Sequence, residues 1–287
     1  MIVCVYWFII KSNIYLEFIE ITKIIEEVAR LYVEDKLSAI KISKLLDIKI
    51  SAVYKYLISK NISRRSNSAN SRKYSCDHFF FNKIDTEEKA YWLGFIYADG
   101  YITGKCMGIT LGEKDRDHLI KFSQSIKSTY PIHTYEYNGY TSTIGCRVIL
   151  RSDQIVEDLI RNGCYYNKSL ILKWPTHIPS NLINHFIRGY MDGDGSISIC
   201  TTSSRPVFRL RFEGTREFLN SLMSFFSIDL KLQKRNDDLK NSYTLDIGGN
   251  INVLSKLDII YKNSSIFLER KHQRYKLLQS LCSVMGK

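Results

Sequence analysis

A chain of 287 residues, 45% hydrophobic and 24% charged, is globular and long enough for a paired domain with a small appendage, which excludes a disordered protein. Lys and Arg number 41 against 29 acidic residues, and the net charge of +12 suits a phosphate-rich partner, although a membrane surface or a solubility device would tolerate it too. The 7 cysteines form no Cys-x-x-Cys pair and the 6 histidines show no ligand spacing, so a disulfide framework, a zinc site, a His-based nuclease and a Ser or Cys hydrolase find no support.

In chain order, residues 1–19 form an extension without an assigned role. Its apolar start, MIVCVYWFII, is shorter than the roughly 20 residues of a membrane span. It has no positive leader and no small-residue cleavage site, so neither a signal peptide nor a membrane partner is expected. The expected location is intracellular: the cytoplasm of a bacterial, phage or viral system, or an organelle.

Residues 20–60 carry three helical patterns. Ile21, Ile24, Ile25, Val28 and Leu31 recur at helical spacing, Ser38 caps a second helix with Ile42, Leu45 and Leu46, and a turn at Asp47 leads past Ile48 into a third helix near 50–59, with Val53 and Leu57 inside. This resembles the helix-turn-helix of resolvase and transposase N-terminal modules. The resemblance implies a last helix in the major groove, with Lys49, Ser51, Ala52, Lys55 and Tyr56 facing DNA. Lys49 stands where a capping Ser or Thr is usual. A small trihelical packing module with a solvated basic face is the alternative. Residues 61–77 lose apolar character and read as a basic linker, whose Arg64, Arg65, Arg72 and Lys73 track phosphates or are simply solvated.

From here the chain reads as two copies of one unit, residues 78–175 and 176–287. In the first, a helix starts near Thr86 with Glu87 and Glu88 favourable to its dipole, and ends in Trp92–Gly100 (WLGFIYADG). Strand material follows at Met107–Leu111, then an amphipathic helix over Asp115–Ser125. Ile132–Tyr137 and Thr141–Leu150 flank Asn138-Gly139, a two-residue hairpin signal. In the second of these strands Ile144, Cys146, Val148 and Leu150 face one way, and Thr143, Arg147 and Arg151 the other. Asp153–Arg161 is the next helix.

The second copy contains Ile187–Gly195 (IRGYMDGDG). Val207, Arg209 and Arg211 alternate with Phe208, Leu210 and Phe212, and Lys231, Gln233 and Arg235 face outward along Ile228–Arg235. Such half-buried strands occur in any soluble protein, yet outward Arg, Lys and Gln also read base edges and phosphates.

The two nonapeptides share Gly at the third place, a small residue at the seventh, then Asp and Gly. Gly94 and Ala98, and Gly189 and Gly193, are spaced i, i+4 and define one helix face on which two backbones approach closely. The Gly after each Asp suits a left-handed helix end. Asp99 and Asp194 then emerge together at two helix C-termini, where the dipole costs each about 0.3–1 kcal/mol and the two repel. A hard divalent cation relieves both penalties, and paired carboxylates with such ions suit phosphodiester hydrolysis. In a single copy, Asp-Gly would be turn chemistry.

With the lead-ins Lys89–Gly94 and Phe186–Gly189, these stretches resemble the motifs of the LAGLIDADG homing endonuclease family in its single-chain form, over about residues 78 to 282. The resemblance implies an α+β fold of two pseudo-symmetric αββαββα halves with curved antiparallel sheets in the DNA major groove, beside the small all-α N-terminal module. It implies catalytic acids at Asp99 and Asp194, metal-binding carbonyls at Ala98 and Gly193, and Mg²⁺, with Mn²⁺ as a substitute. Tyr97 departs from the motif at the sixth place, where the second copy keeps Asp192; that place is not the catalytic acid. Lys168 and Lys271, late in each copy, match a family lysine that tunes the water or stabilises the phosphorane, or else they are helix-end charges. The expected partner is double-stranded DNA with a long, roughly palindromic target, met by a monomer.

The rival is a non-cleaving binder on the same scaffold, an intron RNA maturase or a transcriptional regulator. Retention of both acids speaks against it. An intein is rejected because the chain begins Met1-Ile2 and lacks a C-terminal His-Asn.

Overall fold

A computed structural model describes residues 19–64, 73–138, 142–200, 206–234 and 241–285. Arg65, Arg72, Arg235 and the apolar residues 1–10 lie outside them. The chain divides into two compact units, one up to Lys73 and one of Tyr74–Lys287.

Among the described residues the first unit holds three helices: α1 over residues 19–33, α2 Ala39–Leu45 and α3 Ile50–Ser59. Ser38 accepts from the Lys41 amide and caps α2, whereas Lys49 gives α3 no side-chain cap. Asp47 takes the left-handed conformation at the turn. Val28, Leu31, Ile42, Val53 and Leu57 make the core, with Ile48 packed against it. On α2 Leu45 is exposed, while the adjacent Leu46 packs against the core.

The second unit contains two copies of one pattern. The first runs α4 Glu87–Asp99, β1 Gly100–Thr103, β2 Cys106–Gly112, α5 Arg116–Ser125, β3 His133–Asn138, β4 Ser142–Arg151 and α6 Asp153–Arg161. The second runs α7 Ile183–Asp194, β5 Ser196–Cys200, β6 Val207–Gly214, α8 Arg216–Phe226, β7 Gln233–Lys234, β8 Tyr243–Gly248 and α9 Asn250–Tyr261, followed by α10 Glu269–Met285. Each copy is αββαββα, and the sheets are antiparallel with orders β1-β2-β4-β3 and β5-β6-β8-β7. Thr86, Ser152 and Thr215 cap α4, α6 and α8 by accepting amides in the first turn. Among the described residues, no helix is long and apolar enough to cross a membrane.

The alternation read from the sequence decides which sheet face is buried. Along β6, Phe208, Leu210 and Phe212 are buried while Val207, Arg209 and Arg211 are exposed. The inner faces join one core with α4 and α7. β3 and β4 pair antiparallel with Asn138 opposite Ser142, and Gly139 of the expected turn lies outside the described residues. Ile144 is exposed, whereas Cys146, Val148 and Leu150 on the same strand are buried. One local expectation fails. The strand expected over Ile228–Arg235 is only Gln233–Lys234 among the described residues, since polar Lys231 and Gln233 offer little to bury.

The helices α4 and α7 hold the copies together. A Cβ at Gly94 would overlap the Phe186 carbonyl oxygen, and one at Gly189 the Tyr91 carbonyl oxygen, so both contacts demand glycine. Across this seam the buried Arg188 guanidinium donates to Glu87 at 2.6 Å, to the Ile266 carbonyl at 2.8 Å and to the Ile260 carbonyl at 2.9 Å. Glu87 also accepts from Ser265, and its carboxyl stays below the usual range because the Ser265 hydrogen bonds and the Arg188 charge outweigh its partial burial.

Candidate active site

The close approach of α4 and α7 carries their C-terminal ends together. A Cβ on Gly193 would stand 3.4 Å from the Asp99 carboxyl carbon, so the two motif ends abut and Asp194 follows at once. The glycines after the acids do not take the expected left-handed form. Gly100 has φ −79 and ψ 155, and Gly195 φ −81 and ψ 162, both extended. Glycine is needed there for space: a Cβ would collide with Ile96 in one copy and Met191 in the other.

Burial first, and then the charge of Asp194, raise the Asp99 carboxyl to about 6 against the pull of Lys271, Lys168 and Arg270. The penalty expected for two anions at helix C-termini is therefore present in the geometry.

The two lysines answer the other half of that problem. Lys168 Nζ donates to the Ala98 carbonyl at 3.1 Å and to the Gly100 carbonyl at 2.5 Å. The three N–H groups of Lys271 Nζ are shared among four carbonyls, those of Gly193 at 3.1 Å, Gly195 at 2.5 Å, and Met191 and Asp192 at 2.7 Å each. Equivalent carbonyls take equivalent lysines, which places a cation at the negative end of each helix. Both lysines are buried, so neither is a solvated charge. Burial holds Lys271 down to about 8, with the carboxylates of Asp192, Asp99 and Asp194 resisting.

The site thus brings together Asp99, Asp194, Ala98, Gly193, Lys168 and Lys271. Their oxygens form a hard donor set with an unfavourable pair of anions, and that chemistry fits a divalent cation of the Mg²⁺ class. Lysine takes one lone pair of each of the Ala98 and Gly193 carbonyls and leaves the second. Among the described residues no group of three or more His, Cys, Asp and Glu gathers, so carboxylate pairs and backbone carbonyls are the available ligands.

The position-six residues are structural. Tyr97 is buried and donates to the Asn162 carbonyl at 2.5 Å, while Asp192 accepts from Tyr91 and from the Leu268 amide, both at 2.7 Å. His118 Nε2 lies 2.9 Å from the Tyr91 hydroxyl, and burial drops its pKa to about 3, leaving a neutral ring. Neither this chain of buried groups nor the separate pair of Arg270 with Asp115 at 2.9 Å was read from the sequence. Their members are far apart along the chain, and no local pattern marks them.

The outward residues of the sheets lie apart from this centre. Arg147 is exposed, with its guanidinium 5.6 Å from the Tyr135 ring. Arg209 and Arg211 share Asp246, a carboxylate not singled out from sequence. Lys231 and Gln233 are exposed. In the first unit Lys49, Ser51 and Lys55 are exposed, Ala52 and Tyr56 half-buried, and the Arg64 guanidinium lies 3.9 Å over the Tyr54 ring.

No protein-family model matches the chain, and no curated protein matches it. Solved structures similar to it include the LAGLIDADG homing endonuclease I-GzeII in complex with its DNA target, 15% identical over 69% of this chain and 90% of that one, with a TM-score of 0.49. The LAGLIDADG meganuclease I-AabMI bound to uncleaved DNA is 17% identical over 70% of this chain and 90% of its own, with a TM-score of 0.45. The LAGLIDADG homing endonuclease I-LtrWI bound to target DNA is 10% identical over 73% and 91%, with a TM-score of 0.46.

Proposed function

We propose that this chain is a site-specific double-strand DNA endonuclease of the LAGLIDADG type, which hydrolyses phosphodiesters with Mg²⁺ or Mn²⁺ at Asp99 and Asp194. The observation that carries the reading is the meeting of two carboxylates at abutting helix ends, one of them raised to about 6 by burial and by its neighbour. A structural pair of aspartates would have no reason to be set against both dipoles at once.

In this reading Asp99 and Asp194, with the carbonyls of Ala98 and Gly193, hold the divalent ions. Bound ions supply the Lewis acidity that in-line phosphodiester hydrolysis needs. Lys168 and Lys271 fix the carbonyls and offset negative charge as a phosphate approaches. The exposed faces of the two sheets supply the DNA contacts, through Arg147 on one and Arg209, Arg211, Lys231 and Gln233 on the other. The N-terminal unit adds contacts from α3 through Lys49, Ser51 and Lys55, and from Arg64. Because the two halves differ, the target is long and only roughly palindromic, and one chain suffices.

The test is cleavage of a randomised plasmid library with Mg²⁺, followed by sequencing of the ends. Asp99→Asn and Asp194→Asn should each lower cutting by a thousandfold or more while duplex binding persists. Binding without any cutting by the unaltered chain would favour the non-cleaving binder instead.

A further inference from the structure

We infer that Arg209 and Arg211, clamped by Asp246, form a two-guanine reading element on the second sheet; the inference rests on the DNA-binding reading given above.

The geometry of β5, β6 and β8 sets up the clamp. Arg211 stands directly across from Asp246, and Arg209 from Gly248. Gly248 has no side chain, and a Cβ there would meet nothing within 4 Å, so the space beside Arg209 is open for it to lean diagonally toward Asp246. Arg209 Nε donates to Asp246 Oδ1 at 3.1 Å, and Arg211 Nε to Oδ2 at 2.9 Å. On the other side the two arginines face only Ser198 and Ser196. The carboxylate is nearly covered, its side chain 5% exposed, while the arginine side chains remain 46% and 47% exposed.

Three physical consequences follow. Each arginine spends Nε on the carboxylate, and its terminal amino groups have no other protein acceptor among the described residues. Those two groups are the fork that meets guanine O6 and N7. The trio carries a net charge of only +1, and a carboxylate at its centre repels a phosphate, so the arrangement favours a neutral base edge over the backbone. The Asp246 carboxylate is nearly covered and holds an Nε on each oxygen, so a base edge with cytosine N4 has little access to it. Arginines two apart on a strand stand about 6.8 Å from each other, which spans two base steps of about 3.4 Å. The element therefore reads guanines two steps apart within one half of the target. On the first sheet, Arg147 has a tyrosine ring beneath it and no carboxylate clamp among the described residues, an arrangement suited to phosphate contact.

The test selects binding duplexes from a randomised pool with the full chain and divalent ions chelated. The unaltered chain should enrich guanine at two positions separated by one base. Arg209→Lys and Arg211→Lys keep the charge and should each relax a different one of these positions by about tenfold, with the salt dependence unchanged. Asp246→Ala should weaken both preferences together while raising affinity for unselected duplex, and a thermal melt confirms that the variant is folded. If duplexes are enriched but neither lysine variant changes the base preference, the clamp proposal is overturned and the DNA-binding reading stands. If no duplex is enriched at all, that reading fails and the inference falls with it.

Discussion

Four backbone carbonyls share the three N–H groups of Lys271, against two carbonyls for Lys168, and this difference ranks their contributions to stability. A buried carbonyl left without its donor costs about 1–3 kcal/mol. Lys271→Met should therefore lower stability by about 3 kcal/mol, and Lys168→Met by roughly half as much, read from urea midpoints. Asp99 makes a prediction in pH. Its folded pKa, about 6, lies above the ordinary carboxyl value, so the native state holds the proton more tightly than the unfolded chain. Between about pH 4 and 6 the group costs stability as pH rises, and the loss is complete above 6. A divalent ion that neutralises the pair restores it. Added Mg²⁺ should thus raise the melting temperature clearly at pH 7.5 and hardly at pH 4.5. An equal shift at both values would remove the ion from this site.

At the scale of elements, the contact between α4 and α7 has no slack. Gly94→Ala or Gly189→Ala must drive a carbonyl oxygen and a methyl apart, and should destabilise by more than about 3 kcal/mol, whereas Gly112→Ala, whose Cβ would meet nothing closer than 3.9 Å, should stay within about 0.5 kcal/mol. This seam was legible because small residues at i, i+4 occur twice and each run ends in Asp-Gly. The strand faces were legible too, since Phe208, Leu210 and Phe212 alternate with Val207, Arg209 and Arg211. The helix Asp153–Arg161 was readable to the residue, though its Ser152 cap was not. What escaped was set by contacts across long separations. Asp246 acquires its role only when β8 is in register with β6, and Glu87 meets Arg188 only once the copies are joined. The backbone at Gly100 and Gly195 was misread because sequence names the glycine but not whether torsion or space requires it.

For the molecule as a whole, the two compact units have separate cores, one centred on Val53 and Leu57 and the other on the α4–α7 seam. Removal of residues 1–73 should leave a folded protein that still cuts, with weaker binding and a shallower dependence of affinity on salt. Loss of cutting together with a cooperative melt would show that the first unit is needed for catalysis. Within the second unit the ion pair of Glu87 and Arg188 is one-sided. Arg188 occupies the second place of its motif, where the first copy has Leu93. Counting back equally from the second motif, the residue matching Glu87 is Leu182. Two copies of the second half joined to each other would bury a pair of guanidiniums with leucine in place of their counter-ion, at several kcal/mol apiece. The two repeats are therefore not interchangeable: with the acid on one half and the base on the other, each disfavours a copy of itself and pairs with the different half encoded beside it.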